Sequence, residues 1–288
     1  MTDRAMTDRA MSSDRRGWAG GRPVVGVLHP GAMGAAIGSA LKPVASAVVW
    51  AAAGRTQATS KRAELADLVG VPDVAAVARR CDVIISICPP HAAVDVAGQV
   101  AAALPQRPGA APIYVEANAV SPATVHRIAG LLGPAVTLVD GAVIGPPAWK
   151  PGTSVLWLSG PDAAVIAGLF DGSPFDARVL GPEVGAASAL KACFALQSKA
   201  LPAIWLALEE AAERAGVGDA LAGELSRTGV DLGGRLAEVR DRLGGKAWRW
   251  AGEMDEAAAA LAGLGVPDGF SRAAAEVYRR IADGTERD

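Results

Sequence analysis

The sequence predicts an α/β domain built on a doubly wound parallel sheet, followed by an all-helical domain. From Pro23 to about Gly160, short runs rich in Val and Ile alternate with Ala-rich stretches, which is the pattern of βαβ units. Beyond Pro182, Ala, Leu, Glu and Arg recur at helical spacing without a strand-like run. We therefore predict a disordered tail over residues 1–22, an α/β domain over 23–182 and a helical domain over 183–288.

Length and charge narrow the class of protein. The chain has 288 residues, enough for two ordinary domains, and 28 Lys and Arg balance 30 Asp and Glu to give a formal charge of −2. This balance argues against a nucleic-acid or anionic-membrane surface. The mean hydropathy is +0.25, but the apolar runs are interrupted before the roughly 18 residues that span a bilayer.

The opening residues and the cysteines predict a cytoplasmic protein. The opening residues repeat Met-Thr-Asp-Arg-Ala and lack the apolar segment of a secretory signal. Trp18 could still dock onto the folded part of the chain. Cys81, Cys88 and Cys193 are an odd number without metal-ligand spacing, which is typical of a reducing compartment.

The strands of the α/β domain are predicted in chain order from their apolar runs. They are PVVGVL, AVVW, DVIISI, PIYVEA and AVTLVD, with SVLWLSG and ARVLG completing the domain. Several strands end in turn residues, as in Cys88-Pro89-Pro90 and Gly145-Pro146-Pro147. Open α/β sheets bind ligands at the carboxyl ends of their strands, so we expect the active surface there.

A glycine loop follows the first strand and leads into an Ala-rich helix. The run Gly26 to Gly34 resembles the Rossmann fingerprint G-x-G-x-x-G, with Gly31 and Gly34 in the second and third glycine positions and His29 in the first. We predict that this loop meets a dinucleotide pyrophosphate, and the alternative is a βα turn without a ligand. The predicted contacts are His29, Pro30, Gly31, Ala32, Met33 and Gly34.

The loop after the second strand favours NADPH over NADH. No acid occurs from Ala47 to Ser60, whereas an NAD site usually places one near the ribose hydroxyls. Arg55 and Thr56 offer a guanidinium and a hydroxyl that suit a 2′-phosphate. Lys61 and Arg62 fit a solvated helix start better.

The histidines do not predict a metal site. His91 follows the Cys88-Pro89-Pro90 turn, where it covers the cofactor or caps the next helix, and His126 falls on an exposed helix face. Histidines so widely separated along the chain do not form a ligand cluster, so we predict no metal.

Five motifs, taken in order, resemble the β-hydroxyacid dehydrogenase superfamily, which includes 6-phosphogluconate dehydrogenase, 3-hydroxyisobutyrate dehydrogenase and the imine reductases. They are GVLHPGAMG, GRT, EANAVSP, DGAVIGPP and GAASALK. The resemblance covers nearly the whole chain after the tail and is strongest to a subgroup with an uncharacterised helical C-terminal domain.

Lys191 is the candidate catalytic residue. It lies in a largely apolar helical segment, where a buried ammonium is costly without a purpose, and helical spacing stacks Ala195 and Ser198 or Lys199 along its face. The resemblance implies that this lysine relays a proton while nicotinamide transfers hydride. The structural alternative is a lysine that extends into solvent.

The resemblance also implies further contacts with the cofactor and the substrate. Further cofactor contacts are Cys88, Pro89, Pro90 and Asn118. Substrate contacts are Asn118, Ala119, Ile144, Gly145, Ala195, Ser198, Trp248 and Trp250, although Trp250 also lies on an apolar stripe that fits core or dimer packing.

Two departures from the family pattern bear on the substrate. Phe194 and Ala195 occupy the place of an orienting asparagine, and Pro146 lacks the N–H that would hold a carboxylate. These changes favour a larger, less acidic carbonyl or imine substrate.

The sequence thus predicts an NADPH-dependent oxidoreductase that transfers hydride to or from the carbonyl or hydroxyl carbon of a small organic substrate. Lys191 is its proton donor or acceptor. Imine reduction is the alternative chemistry, and a non-catalytic NADPH-binding sensor is the alternative of another class. The Ala-rich C-terminal helices suit a homodimer.

Overall fold

The computed structural model describes Trp18 and residues 21–285, which form two compact units. The first unit ends at Lys191 and the second begins at Ala192, so the division falls nine residues after the predicted boundary at 182. The prediction of a disordered tail over residues 1–22 lies largely outside the described residues. Trp18 packs against the apolar core of the first unit.

The first unit is organised around one sheet of eight strands. The strands are β1 (Val24–Val27), β2 (Ala47–Ala51), β3 (Val69–Val71), β4 (Val83–Ser86), β5 (Ile113–Glu116), β6 (Thr137–Ile144), β7 (Val155–Ser159) and β8 (Asp176–Gly181). Their order across the sheet is β3-β2-β1-β4-β5-β6-β7-β8. The chain therefore winds outward in one direction from β1 to β3 and in the other from β4, which creates a switch point between β1 and β4.

In the described part of this unit, six α-helices each connect one strand to the next, and a seventh follows β8. They are α1 (Ala32–Leu41), α2 (Gln57–Leu65), α3 (Val74–Arg80), α4 (Ala93–Ala103), α5 (Pro122–Leu132), α6 (Ala163–Gly168) and α7 (Ala186–Ala195), with short 3-10 turns at Pro90–Ala92 and Leu104–Gln106. The last four residues of α7 belong to the second unit.

Two features of the sheet differ from the sequence prediction. β7 runs antiparallel to β6, with Ile144 opposite Val155, so the sheet is mostly rather than wholly parallel. The β6–β7 connection contains no helix that could return the chain for a parallel pairing. β3 was not predicted because it has three residues, contains Gly70 and lies at the sheet edge with Val69 exposed.

Two apolar cores cover the two faces of the sheet. Side chains alternate between them along β4, where Val83 and Ile85 join one core and Ile84 joins the other. Because both faces are covered, the central strands are continuous apolar runs, as expected for a mainly parallel sheet. The polar residues that interrupt these runs therefore need a local reason.

The described residues of the second unit form helices and the turns that connect them. After α7 come a π-helical turn (Leu196–Ala200), α8 (Leu201–Ala215), α9 (Gly218–Arg227), α10 (Leu232–Leu243), a 3-10 turn (Gly244–Lys246), α11 (Ala247–Gly263) and α12 (Gly269–Thr285). Trp250 and Tyr278 meet edge to face in its core, with ring centroids 5.3 Å apart. Within the described part of the chain, no helix combines the length and apolarity needed to cross a bilayer.

Candidate functional site

The glycine loop places the start of α1 at the carboxyl end of β1. Gly31 precedes the helix, and no side chain caps its first N–H groups. No acidic residue lies in the first turn either. The uncapped amides and the helix dipole together make this end suited to an anion.

Close packing explains the third glycine of the loop. A Cβ at residue 34 would overlap the backbone oxygen of His29 and press against Ile87. At Gly31, by contrast, a Cβ would meet no atom within 4 Å. Gly34 is therefore required by the fold, whereas the open space at Gly31 is available for a ligand that approaches the backbone.

His29 and Arg55 interact across the ends of β1 and β2. Burial and the positive charge of Arg55 lower the pKa of His29 to about 4, so its imidazole is neutral near pH 7. His29 Nδ1 is buried without a hydrogen-bond partner. Arg55 Nε donates to the backbone oxygen of Ala51 at 3.3 Å, which orients the guanidinium beside the strand end.

Thr56 has a structural role next to Arg55. Its hydroxyl oxygen accepts a hydrogen bond from Thr59 N at 3.2 Å and thereby caps α2. Thr56 is exposed, as are Lys61 and Arg62, and Lys61 pairs with Glu64 on the surface of α2. Arg55 is thus the half-buried cation of this segment.

Asn118 joins the loops that follow β4 and β5. Its Nδ2 donates to Ser86 Oγ at 3.0 Å, its Oδ1 accepts from Cys88 N, and its backbone N donates to Glu116 Oε1 at 3.0 Å. Burial raises the pKa of the Cys88 thiol to about 12, so the thiol stays protonated. Asn118 therefore fixes the predicted cofactor loop at Cys88, and its half-buried neighbour Ala119 continues the second loop.

A second buried network anchors the helix that carries Lys191. Asp140, at the middle of β6, accepts hydrogen bonds from Ser188 Oγ at 2.6 Å, from Ser188 N at 2.9 Å and from Ser159 Oγ at 3.2 Å. Ser159 Oγ accepts in turn from Ala187 N at 3.1 Å. These bonds satisfy amides of the first turn of α7 and place a carboxylate at its positive end.

Lys191 lies one turn beyond Ser188 on α7 and is half-buried. Its positive charge acts on Glu116, whose pKa it lowers against the larger opposing effect of burial. The predicted catalytic lysine is thus held by a helix tied to β6 and is electrostatically coupled to a carboxyl group of β5.

The loop after β6 is tightly packed. Gly145 has a φ of 129°, and a Cβ there would overlap Thr153 O and Ser154 Oγ. Ser154 Oγ donates to the backbone oxygen of Pro146 and closes the loop. Ile144, the last residue of β6, is half-buried.

The remaining predicted residues lie in the second unit. Ala195 and Trp250 are buried in its core, Ser198 Oγ donates to Phe194 O at 3.0 Å, and Trp248 is half exposed. The predicted α-helical spacing does not continue to Ser198, because the π-helical turn begins at Leu196.

His91 and His126 are exposed in the first unit, whereas Pro90 of the proline turn is buried. Pro89, Pro90 and the exposed His91 lead into α4 through a 3-10 turn, and His126 is exposed on α5. Among the described residues, no group of His, Cys, Asp or Glu is arranged to hold a metal ion.

Sequence reasoning missed Glu116 and Asp140 as site residues. Both fall in motifs that the resemblance used, EANAVSP and DGAVIGPP, yet neither acid was weighed by itself. The available signal was an acidic residue within or at the end of an otherwise apolar run, where burial leaves a charge without solvent.

Comparison with known proteins bears on the fold of the chain. Residues 212–281 match a family model described as a domain of unknown function, DUF1932. No curated protein sequence matches the chain. A conserved protein of unknown function, whose structure revealed similarity with 3-hydroxyacid dehydrogenases, shares 25% identity and a TM-score of 0.63 over 91% of this chain and 98% of its own.

The chain has the β-hydroxyacid dehydrogenase-like fold. Among solved structures of this fold, Mycobacterium tuberculosis 3-hydroxyisobutyrate dehydrogenase with L-serine has a TM-score of 0.67 at 15% identity, covering 91% of this chain and 94% of its own. A reductive aminase from Aspergillus terreus in complex with NADPH and ethyl levulinate has a TM-score of 0.53 at 20% identity, covering 91% and 95%. The predicted resemblance is confirmed at the level of the fold, with a helical C-terminal region that includes the DUF1932 match.

Proposed function

We propose that this β-hydroxyacid dehydrogenase-like protein is an NADPH-dependent oxidoreductase acting on the carbonyl or hydroxyl carbon of a small organic substrate. The observation that carries the proposal is the uncapped N-terminus of α1 beside the switch point between β1 and β4. Arg55, at the end of the neighbouring strand, adds a half-buried cation. Dinucleotides bind at this place in doubly wound sheets.

The residues present fit a phosphorylated dinucleotide. The first-turn amides of α1 and the open space at Gly31 suit a pyrophosphate, and His29 Nδ1 is a buried polar atom that still lacks a partner. Arg55 suits the 2′-phosphate that distinguishes NADPH from NADH, since the loop contains no acid to bind a free ribose hydroxyl. The bound cofactor would supply a hydride.

Lys191 supplies the proton of the reaction. In reduction, its Nζ donates a proton to the substrate oxygen, which becomes a hydroxyl, and the amine then recovers a proton from water. In oxidation the neutral amine accepts the hydroxyl proton. The hydrogen bonds of Asp140 to Ser188 hold the helix that carries this group at a fixed place relative to the sheet.

Imine reduction is the second candidate chemistry. Ala195 stands in place of the asparagine expected one turn after the lysine, and Pro146 has no N–H for a substrate carboxylate. Both changes favour a less acidic substrate. A sensor that binds NADPH without turnover would share the α1 and Arg55 site but would not depend on Lys191.

We also propose that the protein forms a homodimer through its C-terminal helices. Large apolar side chains are exposed in the second unit, among them Phe270 at 67%, Leu264 at 61% and Trp248 at 51%. Such side chains are commonly covered by a partner subunit when they are contiguous.

Thermal unfolding with each cofactor tests the binding site. NADPH should raise the melting temperature more than NADH at equal concentration, because a ligand of the folded state stabilises it. Arg55→Gln should abolish the difference, with Arg62→Gln on exposed α2 as the matched control. Greater stabilisation of the wild type by NADH would contradict the preference for NADPH.

Loss of NADPH absorbance with a panel of carbonyl and imine compounds tests turnover. Lys191→Met should lower kcat on an active substrate by about 10²–10⁴-fold, the usual contribution of a general acid, while leaving stabilisation by NADPH intact. Lys150→Met, at an exposed lysine of the same unit, is the control. Unchanged turnover of Lys191→Met would exclude the proton-donor role.

A further inference from the structure

Two carboxyl groups lie side by side beneath the predicted active edge. Glu116 ends β5, and the parallel register pairs it with Asp140 on β6 and with Ser86 on β4. Residues paired in this way project from the same face of the sheet. Glu116 and Asp140 are both fully buried, so neither carboxyl group is stabilised by bulk water.

The two carboxyl groups have different hydrogen-bond partners. Asp140 accepts from three donors contributed by Ser188 and Ser159, which stabilise its ionised form. Glu116 accepts one bond, from Asn118 N to Oε1, and its Oε2 has no partner. Burial raises the pKa of both groups, but the three donors lower that of Asp140, so the environment favours the proton on Glu116 rather than on Asp140.

Four titratable groups of the described residues interact electrostatically with Glu116. The pKa of Glu116 is raised to about 8, because burial and the neighbouring Asp140 outweigh the hydrogen bonding of Asn118 and the positive charge of Lys191, which lower it. Glu116 in turn raises the pKa of Cys88 and of Tyr114. The titratable groups that act on Glu116 or respond to it are Asp140 on β6, Lys191 on α7, Cys88 after β4 and Tyr114 on β5 itself.

We propose that Glu116 is a positioning residue whose carboxyl group controls how tightly Lys191 holds its proton. The strand partner of Glu116, Asp140, accepts hydrogen bonds from Ser188 in the first turn of the helix that carries Lys191, which brings Glu116 near this helix. While Glu116 is neutral, it adds no negative charge near the Lys191 ammonium. Once ionised, it becomes a buried counter-charge that opposes deprotonation of Lys191. The two groups therefore titrate as a coupled pair.

The consequence for catalysis rests on the proposed role of Lys191 as proton donor. A general acid works best when its own proton is loosely held near the working pH. Ionised Glu116 makes Lys191 hold its proton more tightly than neutral Glu116 does. Activity in the reducing direction should therefore decline as Glu116 loses its proton.

Chemical labelling of Lys191 tests the coupling without a substrate or cofactor. Full-length protein is treated briefly with acetic anhydride over a series of pH values, and acetylation of Lys191 is measured by mass spectrometry against an exposed lysine, Lys150. Because only the neutral amine reacts, the midpoint gives the pKa of Lys191. Glu116→Gln should lower this midpoint by about one pH unit, the effect of losing one opposite charge nearby at an intermediate dielectric.

Two further variants separate the coupling from a structural effect. Glu183→Gln removes an exposed carboxyl group just before α7 and should leave the Lys191 midpoint unchanged. Glu116→Asp keeps the negative charge, so its Lys191 midpoint should be lowered by less than one pH unit relative to the wild type. This comparison remains available if Glu116→Gln fails to fold. If Glu116→Gln folds, equal Lys191 midpoints in this variant and the wild type overturn the proposal. If Glu116→Gln does not fold, a Lys191 midpoint lowered by one full pH unit in Glu116→Asp overturns it.

The labelling result is independent of the proposed reaction. If Lys191→Met keeps full turnover but Glu116→Gln shifts the Lys191 midpoint, the coupling stands and the catalytic proposal fails. If Lys191→Met loses turnover but the midpoint does not move, the catalytic proposal stands and the role of Glu116 is overturned.

Discussion

At the scale of single residues, burial decides the charge state of the site. His29 is held neutral because burial and Arg55 disfavour its imidazolium. Glu116 is held neutral because it is fully buried and accepts a single hydrogen bond. Neither state follows from residue type, because an ordinary glutamate is ionised and an ordinary histidine is partly protonated near pH 6.5.

Glu116 should make the protein less stable as the pH rises from about 4.5 to 8. In this range the unfolded chain releases the Glu116 proton while the folded protein keeps it, because its pKa is raised to about 8. The free energy of unfolding should fall by up to roughly 5 kcal/mol from this group. Urea unfolding at successive pH values measures the loss.

Glu116→Gln should remove that part of the pH dependence, because an amide does not ionise. Glu183→Gln, which changes an exposed carboxyl group, should follow the wild-type curve. If the wild type and Glu116→Gln lose stability in parallel between pH 5 and 8, the carboxyl group of Glu116 is already ionised in the folded protein.

At the scale of secondary-structure elements, the two glycines at the start of α1 have different roles, one in packing and one in the proposed cofactor binding. Gly34 is packed against the backbone of His29, whereas Gly31 borders open space. In the sequence motif both positions simply require glycine. Their different surroundings predict different effects of the same substitution.

Gly34→Ala should destabilise the protein by about 2–3 kcal/mol, because the added methyl group overlaps fixed backbone. Gly31→Ala should cost less than about 1 kcal/mol, since its φ of −65° suits alanine. It should nevertheless reduce stabilisation by NADPH, because its methyl group enters the space next to the α1 amides. Thermal unfolding with and without NADPH measures both effects, and full stabilisation of Gly31→Ala would place the cofactor elsewhere.

The elements themselves were largely predictable where the pattern was long. Apolar runs predicted β1, β2 and β4 to β8, and helical spacing predicted the helical region beyond Pro182. β3 was missed because three exposed or edge residues carry almost no periodic signal. The π-helical turn at Leu196–Ala200 was missed because its sequence, LQSKA, fits an ordinary α-helix.

At the scale of the whole molecule, a formal charge of −2 leaves no strong overall field to attract an anionic ligand. Recognition therefore has to come from a few placed groups. The α1 amides and Arg55 provide them in the first unit. The exposed large apolar side chains of the second unit support the homodimer that we propose for that part of the chain.

A measurement of the oligomeric state tests the proposed homodimer. Sedimentation equilibrium should show a homodimer, and Phe270→Glu should shift it towards monomer because a charge in a buried interface is costly. Leu65→Glu, at a side chain of the first unit that is 76% exposed, should not change the distribution. A wild-type monomer at all concentrations would contradict dimerisation.

The sequence by itself determined the sheet-and-helix order, the glycine loop, the cation after β2 and the lysine on α7, because each depends on local periodicity or on a short motif. Only the tertiary structure decided that β7 reverses direction and that Asn118 bridges two loops. It alone placed Glu116 and Asp140 side by side beneath Lys191's helix. The physical reason is that a buried group takes its charge and its partners from residues distant in the chain, and these become neighbours only when the strands pair.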